Sequence, residues 1–257
     1  MCRTCGCDGV DHDHEDDHGH DHDHGHEHDH GHDHHHHHHR PRRIALEADL
    51  LAKNDRLAGA LRDRFAHDHI VALNLIGAPG AGKTTLLEHT LRAVPELSIA
   101  VIEGDQATDH DARRIAATGR RAIQVNTGAG CHLEADMIER GLGALGLVPQ
   151  SLLFVENVGN LVCPALFDLG EQAKVVVVSV TEGDDKPLKY PHIYRAASAM
   201  VVTKMDLAPH IDADPAQLIA NARKVNPGLA AFPVAATRGS GMAEWCGWLR
   251  AQMGAQR

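Results

Sequence analysis

Gly77-Ala78-Pro79-Gly80-Ala81-Gly82-Lys83-Thr84 is the stretch whose residue types and spacing point most directly to chemistry. It fits G-x-x-x-x-G-K-S/T, a loop whose glycines let backbone N–H groups converge on phosphate oxygens. The apolar run Val71–Ile76 precedes it and the helical stretch Thr85–Leu91 follows it. A helix N-terminus placed there adds a favourable dipole for an anion. Gly80, Ala81 and Gly82 then form the cradle, and Lys83 reaches the β and γ phosphates. The Thr84 hydroxyl is the expected Mg²⁺ ligand, and Thr85 is placed for the α-phosphate.

Two further apolar runs end in acids, at Glu103-Gly104-Asp105 and at Glu156-Asn157-Val158-Gly159. An acid at a strand end beside such a loop can hold Mg²⁺ or its water, and a glycine soon after lets a backbone N–H approach the γ-phosphate. Asp105 and Glu156 join Lys83 as the catalytic candidates, and Gly159 joins the nucleotide contacts. Asp105 is the candidate orienter of the attacking water. That water has no obvious glutamine to position it, so slow turnover is expected. Thr203-Lys204-Met205-Asp206 follows another apolar run. One carboxylate can accept from both N1–H and the 2-amino group of guanine. Against adenine Asp206 would be left unpaired, a cost of about 1–3 kcal/mol or more. The stem of Lys204 can cover the base face, and Ala236 can support the base through its backbone. The usual first residue of this motif is Asn; Thr203 departs from it, which predicts weaker guanine affinity with an unchanged preference.

Metal-ligand chemistry is concentrated elsewhere. Cys2, Cys5 and Cys7 offer three thiolates suited to Ni²⁺, Zn²⁺ or Cu⁺. Residues 11–39 contain 16 histidines, ten acids and three glycines and nothing else, the composition of a multi-site chelator with no means of forming a core. Cys131-His132 follows a glycine-rich turn and is expected to open a helix, which would lower the thiol pKa. Cys163 lies four residues after Gly159. A metal touching Cys163 would therefore respond to the γ-phosphate. Adjacent Cys and His cannot close a site alone, so a second protomer repeating the set suggests a two-fold dimer with metal at its interface. A buried structural cysteine and a surface histidine remain the alternative for Cys131 and His132. Cys246, between Trp245 and Trp248, reads as core.

These groups need a scaffold. The apolar runs Ile70–Ile76, Ile99–Glu103, Ala122–Val125, Leu152–Glu156, Val175–Val180 and Met200–Thr203 alternate with helical segments, and Phe232–Val234 is a candidate seventh. Continuous Val/Ile/Leu runs separated by helices predict an α/β fold with a mainly parallel, helix-covered sheet. Such sheets bind ligands at the carboxyl ends of their strands, where the motifs fall. Before the first run, Ile44–Phe65 reads as an amphipathic helix with Leu46, Leu50, Leu57 and Leu61 on one face. The division is a cysteine motif at 1–10, a disordered His-rich tract at 11–39 and a nucleotide-binding domain at 40–257.

Composition narrows the partners. Of 35 acidic residues 11 lie in the first 39 positions, with one of the 25 basic residues, so the net charge of −10 belongs to the tail. A formally neutral domain without a basic stripe argues against nucleic-acid binding. No apolar run is long enough to span a bilayer, and the N-terminus lacks a secretory apolar segment. The expected location is the cytoplasm, with no membrane partner, where thiols stay reduced.

The quoted motifs resemble the nickel-incorporation GTPases of NiFe-hydrogenase maturation, the HypB family. The match continues through Val101–Gln106, Gln124–Leu133, Glu156–Ala165 and Thr181–Pro191. The resemblance implies a P-loop GTPase that turns GTP into GDP with Mg²⁺. It implies a tight nickel site at Cys2, Cys5 and Cys7 and a nickel or zinc site at Cys131, His132 and Cys163. It also implies a homodimer promoted by GTP, with metal a second candidate cause. Its implied partners are a small nickel- and zinc-binding accessory protein and the hydrogenase large subunit that receives nickel. A nickel store whose nucleotide site only regulates dimerisation is the rival reading. A urease-type GTPase is disfavoured by the cysteine cluster.

Overall fold

The computed structural model describes residues 40–105, 110–128 and 130–255, with side chains from residue 49 onward. The cysteine motif and the His-rich tract lie outside the described residues. Along the described chain run α1 (Arg40–His67), β1 (Val71–Ile76), α2 (Lys83–Ala93), β2 (Ile99–Asp105), α3 (His110–Ala116), β3 (Arg121–Asn126), α4 (Ala135–Leu145) and β4 (Leu152–Glu156). They are followed by α5 (Cys163–Leu166), β5 (Ala173–Ser179), α6 (Lys186–Lys189), α7 (Pro191–Ala196), β6 (Ala199–Thr203), α8 (Pro215–Val225), β7 (Ala230–Pro233) and α9 (Met242–Gly254).

The strands form one sheet in the order β3-β2-β4-β1-β5-β6-β7, and every neighbouring pair is parallel. All seven expected strands are present. The seventh is four residues long and ends in Pro233 at the sheet edge, where a missing N–H costs no ladder bond. β1, β4 and β6 are buried along their whole length, which is why they read as unbroken apolar runs.

Alternation along β1 sends its side chains into two layers. Val71, Leu73 and Leu75 meet Leu86 and Leu91 of α2 and Trp245 and Leu249 of α9. Ala72 joins Ile102 and Val155 of the neighbouring strands against Leu61 and Phe65 of α1 and Ile138 and Leu142 of α4. A third cluster packs Val176, Met200 and Val202 on Ile193, Tyr194 and Leu218. Each such fully buried side chain contributes about 1.5–3 kcal/mol. Cys246 is buried in the first cluster, as expected of a core residue. No helix among the described residues is long and apolar enough to cross a membrane.

The first helix differs from its expected face. Leu50 is 53% exposed, whereas Ala58, Leu61 and Phe65 are buried and Leu57 is partly so. The side chain of Leu46 lies outside the described residues. Among the described side chains of α1 the first buried one is Asn54, and spacing alone cannot tell which stretch of a helix is covered by the layer it packs on. The contrast is testable by denaturant unfolding. Leu61→Ala should cost about 2–5 kcal/mol, the range for a truncated core leucine, while Leu50→Ala should stay within about 0.5 kcal/mol.

Candidate nucleotide and metal site

The loop Gly77–Gly82 joins β1 to α2, at the point where β1 is flanked by β4 on one side and β5 on the other. A cavity of about 660 Å³ opens over it. Gly80, Gly82, Lys83, Thr84 and Thr85 line it, and so do Asp105, Glu156 and Gly159 from two other strand ends. The sequence candidates for phosphate and Mg²⁺ therefore converge. Ala81, the remaining cradle residue, is buried beneath the loop. Lys83 Nζ donates to the carbonyls of Gly77 and Ala78 at 3.3 and 3.4 Å. Burial lowers its pKa, with Glu156 the chief opposing influence. Gly159 approaches the loop so closely that a Cβ there would lie 2.9 Å from Pro79 Cγ and 3.0 Å from Pro79 N. A larger residue would lever the two loops apart.

Thr84 Oγ1 donates to Glu156 Oε1 at 2.7 Å, and Glu156 Oε2 is buried without a hydrogen-bond partner. Directly across the β2–β4 ladder from Glu156 stands Glu103. It is 3% exposed, it lines the same cavity, and its Oε2 also has no hydrogen-bond partner. Burial, then the charges of Glu156 and Asp105, raises the Glu103 pKa to about 8. Burial raises that of Glu156 to about 7 against the pull of Lys83 and the Thr84 hydrogen bond. Two orphaned carboxylate oxygens beside a threonine hydroxyl are a donor set that fits a hard divalent cation such as Mg²⁺.

Glu103 is the functional candidate that sequence reasoning passed over in favour of Asp105. Both sit on the same face of β2, two residues apart, but only pairing with β4 shows which of them opposes Glu156. Asp105 is partly exposed at the strand end, lines the cavity, and accepts from Thr127 N through its backbone oxygen at 3.1 Å. Arg114 of α3 was also not anticipated. It reaches Thr85 Oγ1 at 3.3 Å from within ion pairs to Glu88 and Asp111.

A second cavity of about 300 Å³ adjoins the first and is lined by Gly82, Thr85, Thr203, Lys204, Asp206, Leu207, Ala236 and Thr237. The motif expected to read the base thus meets the loop that precedes the last helix. Lys204 takes φ 57° and its Nζ donates to Gly80 O at 2.7 Å. Thr203 is buried and its hydroxyl donates to Ala81 O at 2.5 Å. The residue that departs from Asn thus ties the phosphate loop to β6.

Cys131, His132 and Cys163 come together with their ligand atoms within 4.8 Å of one another. The sulfurs are 3.2 Å apart, and no disulfide joins the two cysteines. Cys131 Sγ lies 3.7 Å from His132 Nδ1. The His132 ring lies tilted against Phe167 with centroids 3.9 Å apart, and burial lowers its pKa, favouring the neutral imidazole that ligates metals. Its Nε2 is buried and 3.6 Å from Glu134 Oε1, beyond hydrogen-bonding reach. Two thiols and an imidazole suit a borderline or soft ion. One expectation needs correction. Cys131-His132 does not open a helix, because α4 starts at Ala135 behind a Glu134 cap. No helix dipole therefore acts on the Cys131 thiol from there. The intervening Leu133 is buried, and its backbone N–H is spent on Asn157 Oδ1 at 3.1 Å.

The family described as "CobW/HypB/UreG, nucleotide-binding domain" matches residues 71–233. The hydrogenase maturation factor HypB of Azotobacter chroococcum mcd 1 is 53% identical over 216 residues, covering 84% of this chain and 71% of that protein. The chain belongs to the HypB family. Among solved structures, HypB from Archaeoglobus fulgidus is 40% identical with a TM-score of 0.74, covering 79% of this chain and 100% of that one. HypB from Helicobacter pylori, solved in complex with nickel, is 35% identical with a TM-score of 0.73, covering 78% and 95%. The α/β fold and the HypB resemblance read from the motifs both stand.

The carboxylate pair gives this HypB-family chain a pH signature when nucleotide and divalent cations are withheld. The Glu103 pKa is raised on folding, so its contribution to stability is fully present below the ordinary carboxylate range and is lost as pH rises through about 8. Glu103→Gln should therefore raise the unfolding midpoint at pH 8 and change it less at pH 5. A gain of about 2–4 °C at pH 8 corresponds to about 1 kcal/mol for a chain of this size. Equal shifts at the two pH values would mean that the pair holds no proton.

Proposed function

We propose that this chain is a GTP-hydrolysing nickel metallochaperone of the cytoplasm that delivers nickel to the large subunit of a NiFe-hydrogenase. The observation that carries this reading is Cys131. It is one of the three clustered metal-ligand residues and it also lines the nucleotide cavity. A metal held at Cys131, His132 and Cys163 thus borders the phosphates. Nickel binding in the Helicobacter pylori relative supports nickel as the cargo, and the thiol–imidazole set suits zinc as an alternative occupant.

In this mechanism the backbone of Gly80–Gly82 cradles the phosphates while Lys83 turns from the loop carbonyls to the β and γ oxygens. Thr84 and Glu156 would hold Mg²⁺, which would supply charge neutralisation of the transferred phosphoryl group. Asp105 and Glu103 flank the γ-phosphate side, Asp105 as orienter of the attacking water. Gly159 presents its N–H there, and Asp206, Lys204 and Ala236 take guanine. Asp206 selects guanine because adenine has neither the N1–H nor the 2-amino donor that the carboxylate accepts from. Turnover is expected to be slow.

Three protein ligands leave an ion's coordination open, which suits a cargo that must leave. A second protomer bringing the same triad across a two-fold axis completes the set in a homodimer promoted by GTP. Cys2, Cys5 and Cys7 serve as the tight nickel site of the tail, and the His-rich tract stores nickel. A small nickel- and zinc-binding accessory protein is the expected exchange partner.

Lys83→Ala tests whether turnover is needed. In cells grown at limiting nickel, the variant should abolish hydrogenase maturation while the protein remains present. Maturation at the wild-type level would leave a nickel store with a regulatory nucleotide site.

A further inference from the structure

We infer that Leu133, seated on Gly104 and hydrogen-bonded to Asn157, is the joint through which the nucleotide site and the Cys131–His132–Cys163 site set each other's affinity. This rests on the reading that the two sites are coupled and names the residues that do it.

Leu133 follows His132 directly and is wholly buried. Its side chain lies against the end of β2. A Cβ added at Gly104, between Glu103 and Asp105, would come within 2.7 Å of Leu133 Cδ1 and 2.8 Å of its Cγ. Its backbone N–H donates at 3.1 Å to Asn157 Oδ1, and Asn157 follows Glu156 on the neighbouring strand end. One residue of the metal loop therefore touches both strands whose carboxylates face the cavity.

Asn157 is 1% exposed, and both its amide oxygen and its amide nitrogen are hydrogen-bonded. Its oxygen also accepts from Val158 N at 3.0 Å, and its nitrogen donates to Asn74 Oδ1 at 3.3 Å. Asn74, buried in the central strand, donates in turn to Glu171 Oε1 at 3.2 Å. The side chain cannot yield without breaking buried hydrogen bonds, each costly to leave unmade.

Neighbouring ties converge on the same loop. Thr127 N donates to Asp105 O at 3.1 Å, and Thr127 Oγ1 donates to Gly130 O at 2.9 Å. On the far side, Asn54 Oδ1 accepts from Ala135 N while Asn54 Nδ2 donates to Asp168 O, next to the Phe167 ring that lies against His132. Asn160 Nδ2 donates to Cys131 O at 3.3 Å, linking the two metal-bearing loops. Any displacement of the β2 or β4 end on nucleotide binding must carry Leu133, and with it the adjacent His132 and Cys131, relative to Cys163. Packed interiors respond to such shifts by discrete rearrangement, not by smooth deformation.

Linkage makes the effect measurable from the nucleotide side, in the full-length chain. The quantity is the preference for a non-hydrolysable GTP analogue over GDP, with Mg²⁺, measured with and without saturating Ni²⁺. In the wild type nickel should change this preference about tenfold, equivalent to about 1.4 kcal/mol. Cys163→Ser should remove the effect, separating the domain site from nickel bound by the tail. Leu133→Ala and Asn157→Ala, each checked for a cooperative thermal transition, should reduce the effect to under about twofold. Leu133→Ala should do so with nickel-free nucleotide affinity within about threefold of wild type. A merely structural role would lower the melting point and leave the ratio intact. If either folded variant keeps the tenfold effect, the joint is overturned while coupling stands. If the wild type shows no effect, or Cys163→Ser retains it, the coupled-site reading falls and the joint with it.

Discussion

Glu103 and Glu156 face one another from adjacent parallel strands, both buried and each with an oxygen that has no hydrogen-bond partner. Like charges opposed across a ladder destabilise a sheet, and burial raises the cost of each charge. The phosphate loop is built against the pair: Thr84 donates to Glu156, and the Lys83 charge favours the ionised carboxylate. The positions of the phosphate loop, Asp105, Gly159 and Leu133 all refer back to these two strand ends. Two buried carboxylates opposed in this way are unfavourable on their own terms, and the unpartnered oxygens leave donor capacity for a ligand.

The fold makes this possible by placing β1 between β4 and β5 while the chain passes outward to β2 and β3. Carboxyl ends of β1, β2 and β4 thus meet at the crevice that open α/β sheets present to ligands. The cluster of Cys131, His132 and Cys163 is a consequence of the same order. The loops after β3 and β4 leave strands on either side of β2, so Cys131 and His132 meet Cys163 above the end of β2 without any nearness in sequence. A cysteine that belongs to both the triad and the nucleotide cavity follows from that geometry. It requires no separate metal-binding domain.

The departures from expectation have physical causes of one kind. Leu50 is exposed although its spacing suits the buried face, because periodicity reports the side of a helix and not the extent of its contact. Cys131-His132 stands before α4 and not on it, and the backbone N–H groups of Leu133 and Ala135 donate to Asn157 and Asn54, residues 24 and 81 positions away. Thr203 in place of Asn looked like a weakened base contact. In the fold its hydroxyl braces the phosphate loop at Ala81, a role visible only once β6 lies beside that loop.

The sequence by itself determined the phosphate loop, the strand ends that serve it, the parallel α/β class and the ligand types available for metal. Those follow from local chemistry: a glycine-rich turn, an apolar run buried on both faces, a thiol or an imidazole. Tertiary structure alone decided which acids oppose one another, which asparagines are buried as links, and that the two cysteines and the histidine share one point with the nucleotide cavity. These depend on strand order and register, which are set by the summed packing of helices on both faces of the sheet. No short stretch of residues carries that information, because each partner in such a contact is fixed by a different part of the chain.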